Sequence, residues 1–177
     1  MSNQLPSRKQ ALLLLKENGC SSKVVNHCLA VAKLAEETAK TLREKGLSVN
    51  VELVDIGALL HDIGRSRTHS VDHAVEGAKI AESAGLPRNI ISIIKRHVGG
   101  GITASEAKAL GWSNDDIYVP VTIEEKIVSF ADKLIHGSKR VSVETVTEQL
   151  RIEGKPEAAE RVKRLHNEIA RLLGDCP

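Results

Sequence analysis

The chain has 177 residues, enough for one domain that buries a sizeable core without disulfides or a structural metal. Lys and Arg number 25 against 23 Asp and Glu, and a net charge of +2 gives no electrostatic case for DNA, RNA or an anionic membrane as the main partner. One Trp, one Tyr and one Phe argue against a platform for stacking single-stranded bases, so any nucleotide recognition would rest on polar and aliphatic contacts.

Residues 7–18 read as a short helix that stops at Gly19, and Ser22 opens a long one. In "SKVVNHCLAVAKLAEETAKTLREKG" apolar residues recur at 24, 28, 31, 35, 39 and 42, a helical period that ends at Gly46. "VELVDIGALLHDIG" repeats the pattern through Leu53, Ile56, Leu60 and Ile63, with Gly64 as its stop. After a loop rich in Arg, Ser and Thr come helices over 72–84 and 87–97, divided by Gly85 and with Pro87 in the first turn of the second. "VGGGI" at 98–102 is irregular, because consecutive glycines favour no regular element; it reads as a connector or as a flap beside a pocket. "TASE" (Thr103, Glu106) and "TIEE" (Thr122, Glu125) are capping boxes that open two more helices, the second running to Gly137. "KPEAAERVKRLHNEIARLLG" gives a last amphipathic helix with Ala159, Val162, Leu165, Ile169 and Leu172 in register. The expected fold class is therefore all-α, a single-domain bundle of about eight helices. Its expected divisions are an N-terminal helix over 1–21, the main domain over 22–137 and a helical extension over 138–177.

Cys20, Cys28 and Cys176 are odd in number and lack CxxC spacing, which suits a reducing, cytoplasmic setting better than a disulfide framework. No segment approaches the roughly 20 apolar residues of a membrane span, and the N-terminal leucine run is too short for a secretory signal.

Periodicity makes certain polar residues informative. His27 shares a face with Val24, Val31 and Leu34, His97 lies below Ile90, Ile93 and Ile94, and Asp132 lies between Val128 and Ile135. His61 and Asp62 close an apolar segment. Taken singly, each has an ordinary explanation: a core histidine bonded to backbone, a carboxylate paired with an arginine, an "HD" dipeptide arising by chance. Taken together, H, HD and D on successive inward faces are accounted for by convergence on one metal, because a buried unpaired carboxylate costs several kcal/mol.

"NHCLAVAKLA", "GALLHDIGR" and "IVSFADKL" resemble, in order and context, the three motifs of the HD-domain superfamily, in particular its HDIG subgroup of metal-dependent phosphohydrolases. The resemblance spans roughly residues 22–137, and it implies metal ligands at His27, His61, Asp62 and Asp132. "DHAVEGAKI" and "IKRHVGG" resemble family segments that hold a second metal or touch phosphate, implying such roles for His73 and His97; Arg96 stands where some relatives carry another histidine. Gly77, one turn after His73, is expected to leave room beside it. His69 reads as a loop residue at the substrate edge and His166 as solvated surface, while His136 reads either as an orienting partner for Asp132 or as surface.

Two imidazoles and two carboxylates suit Mn, Fe, Co, Ni or Zn better than Ca, as one or two ions. Asp62 is the expected general base. Arg65, Lys133 and Arg96 each adjoin a motif and are expected near phosphate oxygens, with Arg67 assisting from the loop. The expected activity is hydrolysis of a phosphate ester of a small molecule, a nucleotide for preference. The alternatives are a di-iron oxygenase of the same superfamily, whose order H, HD, H, H, D this chain also reproduces, and a non-catalytic metal-binding regulatory or scaffold module that associates through the last helix, for instance as a homo-oligomer.

Overall fold

A computed structural model describes residues 4–113 and 115–174; Cys176 lies outside the described residues. Nine α-helices occur among them, with two 3₁₀ turns and one β-hairpin. Helix α1 (Arg8–Glu17) is opened by a capping box in which the Ser7 hydroxyl and the Gln10 side chain each accept from the other's backbone N–H. Helix α2 (Ser22–Glu44) is capped by Ser21, one residue earlier than expected, and buries Val24, Cys28, Val31, Ala35, Ala39 and Leu42, the six positions of its apolar period.

Helix α3 (Val51–Leu60) stops earlier than the sequence suggests. His61 is its C-cap, Asp62 follows, and Ile63–Ser66 turn as a 3₁₀ segment that contains Gly64. Gly64 is thus no helix stop; it is a contact point. A Cβ there would sit 1.9 Å from the carbonyl oxygen of His73 and 2.6 Å from the backbone nitrogen of Gly77, so only glycine lets the turn lie against α4 (His73–Ser83). Gly77 likewise clears no room around His73: its own missing Cβ is replaced by the Ile94 side chain and the backbone of Gly64.

Helix α5 (Arg88–Arg96), with Pro87 at its N-cap, buries Ile90, Ile91, Ile93 and Ile94. Each such side chain contributes roughly 1.5–3 kcal/mol of transfer free energy. Gly57 of α3 admits Ile93 into the helix interface, since a Cβ would come within 2.5 Å of its Cδ1. "VGGGI" carries positive φ at Gly99, Gly100 and Gly101 and docks on the last helix, where Arg161 donates to the Gly101 carbonyl at 2.9 Å.

Helices α6 (Ala104–Ala109) and α7 (Ile123–Lys133) both begin with the expected capping boxes. Helix α7 ends at Lys133 and not at Gly137: Ile135–His136 (β1) pair antiparallel with Lys139–Arg140 (β2) around Gly137, whose φ of 62° makes the turn. The period gives no hint of so short a hairpin. Sequence reasoning also missed α8 (Val143–Ile152), for which the N-cap Ser142 and the short apolar series Val143, Val146 and Leu150 were the available signal. Helix α9 (Pro156–Leu173) lays Val162, Leu165 and Ile169 into the same core as α2, α3, α5 and α7. His166 is not a solvated surface residue: its ring lies against Phe130, with centroids 5.5 Å apart.

Candidate metal centre

The ends of helices converge at one point. His61 ends α3, Asp62 follows it, His73 begins α4, His97 ends α5, Asp132 lies in the last turn of α7, and His27 sits in the second turn of α2. His61, Asp62, His73 and His97 are at most 3 % exposed. His27 is half-buried and forms the edge toward solvent.

One backbone device sets three of the four rings. The Nδ1–H of His61 donates to the Ala58 carbonyl at 2.6 Å, that of His73 to Ser70 at 2.6 Å, and that of His97 to Ile94 at 2.8 Å, in each case three residues back. The His27 Nδ1–H donates to the Gly137 carbonyl at 2.9 Å, across the fold. A carbonyl only accepts, so each Nδ1 carries a proton and each neutral ring presents a bare Nε2 lone pair. All four Nε2 atoms face the two carboxylates. His27 Nε2 is 3.0 Å and His61 Nε2 3.4 Å from Asp132 Oδ1, and both are 3.8 Å from Asp62 Oδ2. On the other side His73 Nε2 is 3.1 Å and His97 Nε2 3.5 Å from Asp62 Oδ1, and the two nitrogens are 3.1 Å apart. Asp62 therefore faces two subsites with one carboxylate, one oxygen to each.

These contacts test the fit of a metal. His61 Nε2 and Asp62 Oδ1 are buried with no hydrogen-bond partner, and such orphaned atoms are costly unless a cation meets them. Ligand atoms of His27, His61 and Asp62, of His61, His97 and Asp132, and of Asp62, His73 and His97 each lie within 4.8 Å of one another. Where the rings are neutral, their lone pairs and the facing carboxylates repel, and a divalent cation would convert that repulsion into coordination. The donor set fits a metal, and it could hold two.

The electrostatics agree. Burial alone would raise the Asp62 carboxyl, yet His61, His73 and His97 hold it well below the usual carboxylate range. Burial also opposes ionisation of Asp132, and Lys133, His27 and His61 overcome it. Burial would lower His61, but Asp62 and Asp132 hold it above its ordinary value. His97 is pushed down to about 4, by burial first and by the charges of His61 and His73, against the pull of Asp62. Both carboxylates are thus charged and His97 neutral at pH 7, the form that binds a metal, whereas a metal at His61 would have to displace the proton that Asp62 and Asp132 favour there.

The site opens into a cleft of about 800 Å³ whose floor includes His27, Asp62 and Asp132. Arg65 donates to Asp62 Oδ2 at 2.6 Å and Lys133 to Asp132 Oδ2 at 2.8 Å, and both side chains line the cleft. The other expected cations are elsewhere. The guanidinium of Arg96 points away, bonded to both Glu125 oxygens at 2.8 and 3.0 Å and to the Ile117 carbonyl, because Glu125 is nearly buried and needs a counter-charge. Arg67 is exposed beside Asn18 and Glu76, outside the cleft, and His69 is exposed as well. His136 is exposed on β1 at the cleft wall and makes no hydrogen bond to Asp132. Sequence reasoning missed Lys23, one turn before His27, which lines the cleft; its position four residues ahead of a ligand was the available signal.

Residues 24–137 match the HD domain family. The chain belongs to that family. An uncharacterized protein of Methanocaldococcus jannaschii is 47% identical over 167 residues, covering 93% of this chain and 98% of that one. A protein named tRNA (cytidine(56)-2'-O)-methyltransferase from Thermoplasma volcanium is 39% identical over 170 residues, but this chain spans only 48% of its length. Ribonuclease Y of Thermosipho melanesiensis is 36% identical over 132 residues, 22% of its length. Among solved structures, the HD domain of the Listeria monocytogenes phosphodiesterase PgpH in complex with cyclic-di-AMP has a TM-score of 0.55 at 21% identity, covering 93% of this chain and 96% of that one, which is a likeness of fold. Among the described residues no helix is long and apolar enough to cross a membrane.

Proposed function

We propose that this HD domain is a metal-dependent phosphohydrolase of the HDIG type, acting on a phosphate ester of a nucleotide. The observation that carries the proposal is the Asp62 carboxylate, set between two groups of imidazole lone pairs at the floor of an open cleft with Arg65 and Lys133 beside it. His27, His61, Asp62 and Asp132 would hold one divalent ion of the Mn, Fe, Co, Ni or Zn class, and Asp62, His73 and His97 a second. A bound divalent metal supplies a Lewis acid for a phosphoryl oxygen and acidifies water toward neutral pH.

The protein's own groups supply the rest. Asp62, ionised at neutral pH, would orient the water and serve as acceptor for its proton; being held well below the usual carboxylate range it is a weak base, so it would act on water already acidified at the centre. Arg65 and Lys133, now paired with carboxylates at 2.6 and 2.8 Å, are near enough to turn to the phosphate oxygens of an arriving substrate and balance the charge that grows there. One name supports the class of bond: the structural neighbour, matched over 96% of its chain, is a phosphodiesterase in complex with cyclic-di-AMP. The methyltransferase name belongs to proteins of which this chain matches about half, so it supports no methyl transfer by the cluster.

The test is metal analysis of the purified protein, then a phosphoester screen with Mn, Co, Ni and Zn added back. Turnover that falls at least 100-fold in Asp62→Ala, with the fold intact by circular dichroism, is the expected result. No bindable metal and no turnover would sink the proposal. The six-ligand constellation also suits a di-iron oxygenase, and bound iron with an oxygen-dependent absorption spectrum would favour that second reading over hydrolysis.

A further inference from the structure

We infer that α8 is the specificity wall of the cleft and holds the nucleoside part of the substrate. The cleft that begins at Asp62 and Asp132 continues to α8, a helix outside the residues matched by the HD domain family. About 800 Å³ far exceeds a phosphate group and is within the range of pockets that enclose whole small-molecule ligands.

The helix presents a coherent face. Thr145, Gln149 and Glu153 recur every four residues and line the cleft as a polar stripe, and Val146 and Leu150 run beside them as an aliphatic one. The opposite face is committed: Val143 and Thr147 are buried, and Arg151 pairs with Glu160 of α9 at 2.9 Å. Val146 and Leu150 are half-buried against the core yet open to the cleft, as a surface awaiting a flat apolar group would be. Val24 and Ile135 bring further aliphatic surface, so a base could be gripped without an aromatic residue. Gln149 Nε2 donates to Glu153 at 3.1 Å, which fixes the amide and leaves its oxygen to accept from a base edge. The proposed ligand class is therefore a nucleoside phosphate, its phosphate at the metal centre and its base on α8.

This inference rests on the phosphohydrolase reading only for the position of the phosphate. Binding is measured by calorimetry on the Mn-loaded full chain, with each of the four nucleoside 5′-monophosphates and with ribose 5-phosphate. At least one nucleotide should bind tenfold or more tightly than ribose 5-phosphate, and the margin should fall below threefold in Val146→Asp and in Gln149→Ala. The second variant is exposed and keeps the test decisive if the first fails to fold. Equal affinity for all five ligands, or a margin that survives in a folded variant, overturns the inference. Turnover of bis(4-nitrophenyl) phosphate, followed in parallel, reports on hydrolysis alone, so a failed hydrolase reading and a failed α8 reading give different results.

Discussion

Of the glycine-to-alanine changes, Gly64→Ala is expected to be the most damaging, because its Cβ meets the shortest contact. The new Cβ would lie 1.9 Å from the His73 carbonyl oxygen, and real Cβ atoms essentially never approach closer than 3.0 Å, so the 3₁₀ turn and α4 must separate by about 1.1 Å. Both partners are backbone, and neither can rotate away. Overpacking that side chains absorb costs roughly 1–3 kcal/mol, and a clash between main chains belongs at or above the top of that range, about 3 kcal/mol. The same displacement pulls His73 from Asp62, whose atoms are 3.1 Å apart, and misplacement of a reacting group by about 1 Å can cost on the order of 100-fold in rate. Gly57→Ala is the control: its Cβ meets the Ile93 side chain, 2.5 Å from Cδ1 and 3.1 Å from Cγ2, and no backbone, so a smaller loss of about 1–2 kcal/mol is expected. Urea denaturation of both variants, with metal titration by calorimetry, reads both effects. If Gly64→Ala is no less stable than Gly57→Ala, the turn is looser than the geometry requires and the reasoning fails.

Other expectations follow from the same contacts. The metal-free protein should lose stability as pH falls from 6.5 to about 4: unfolded His97 takes up its proton first, and its folded value of about 4 is worth roughly 3 kcal/mol across that window. His61, with a raised value, acts only above that window, and the depressed Asp62 and Asp132 only below their ordinary value of 3.8, so His97→Gln should flatten the slope between 6.5 and 4. Stability curves that stay parallel in the variant would refute this. Glu125→Ala should cost about 2–3 kcal/mol in chemical denaturation, because it leaves the Arg96 guanidinium with the Ile117 carbonyl but no counter-charge and takes the acceptor from the Val121 and Thr122 N–H groups; a loss under 1 kcal/mol would contradict it. Asp72→Ala removes the acceptor of the Trp112 indole, 2.8 Å away, from the turn that carries His73. It should weaken the second metal equivalent in a calorimetric titration more than the first, and equal weakening would argue against separate subsites.

The helices and the convergence were legible because both leave periodic traces. His97 and Asp132 stand out only against the isoleucines and valines that share their faces, and those faces are the buried ones. Capping boxes at Thr103 and Thr122 fixed two helix starts to the residue. What stayed hidden depends on neighbours far along the chain. Gly64 reads as a helix stop until α4 is laid against it, and Arg96 reads as a phosphate ligand until Glu125, 29 residues on, is seen to hold it. Helix α8 has only the three-residue apolar series Val143, Val146 and Leu150, and nothing in that series shows that the helix would wall the cleft.

The His27 ring joins the two ends of the family region: Nδ1 reaches Gly137, 110 residues away, and Nε2 reaches Asp132, 105 away. His73 and His97 are separated by only 24 residues, and the bonds that orient their rings are confined to single turns. Loop-closure entropy rises with the length enclosed, so the two halves of the centre should mature at different times during folding. The half built by α3, α4 and α5 can assemble as soon as those helices exist, whereas the half built by α2 and α7 must wait for nearly the whole domain. A nascent chain would carry a competent His73–His97 pair well before it could close the site, and would complete it only when the α7 hairpin docks on His27.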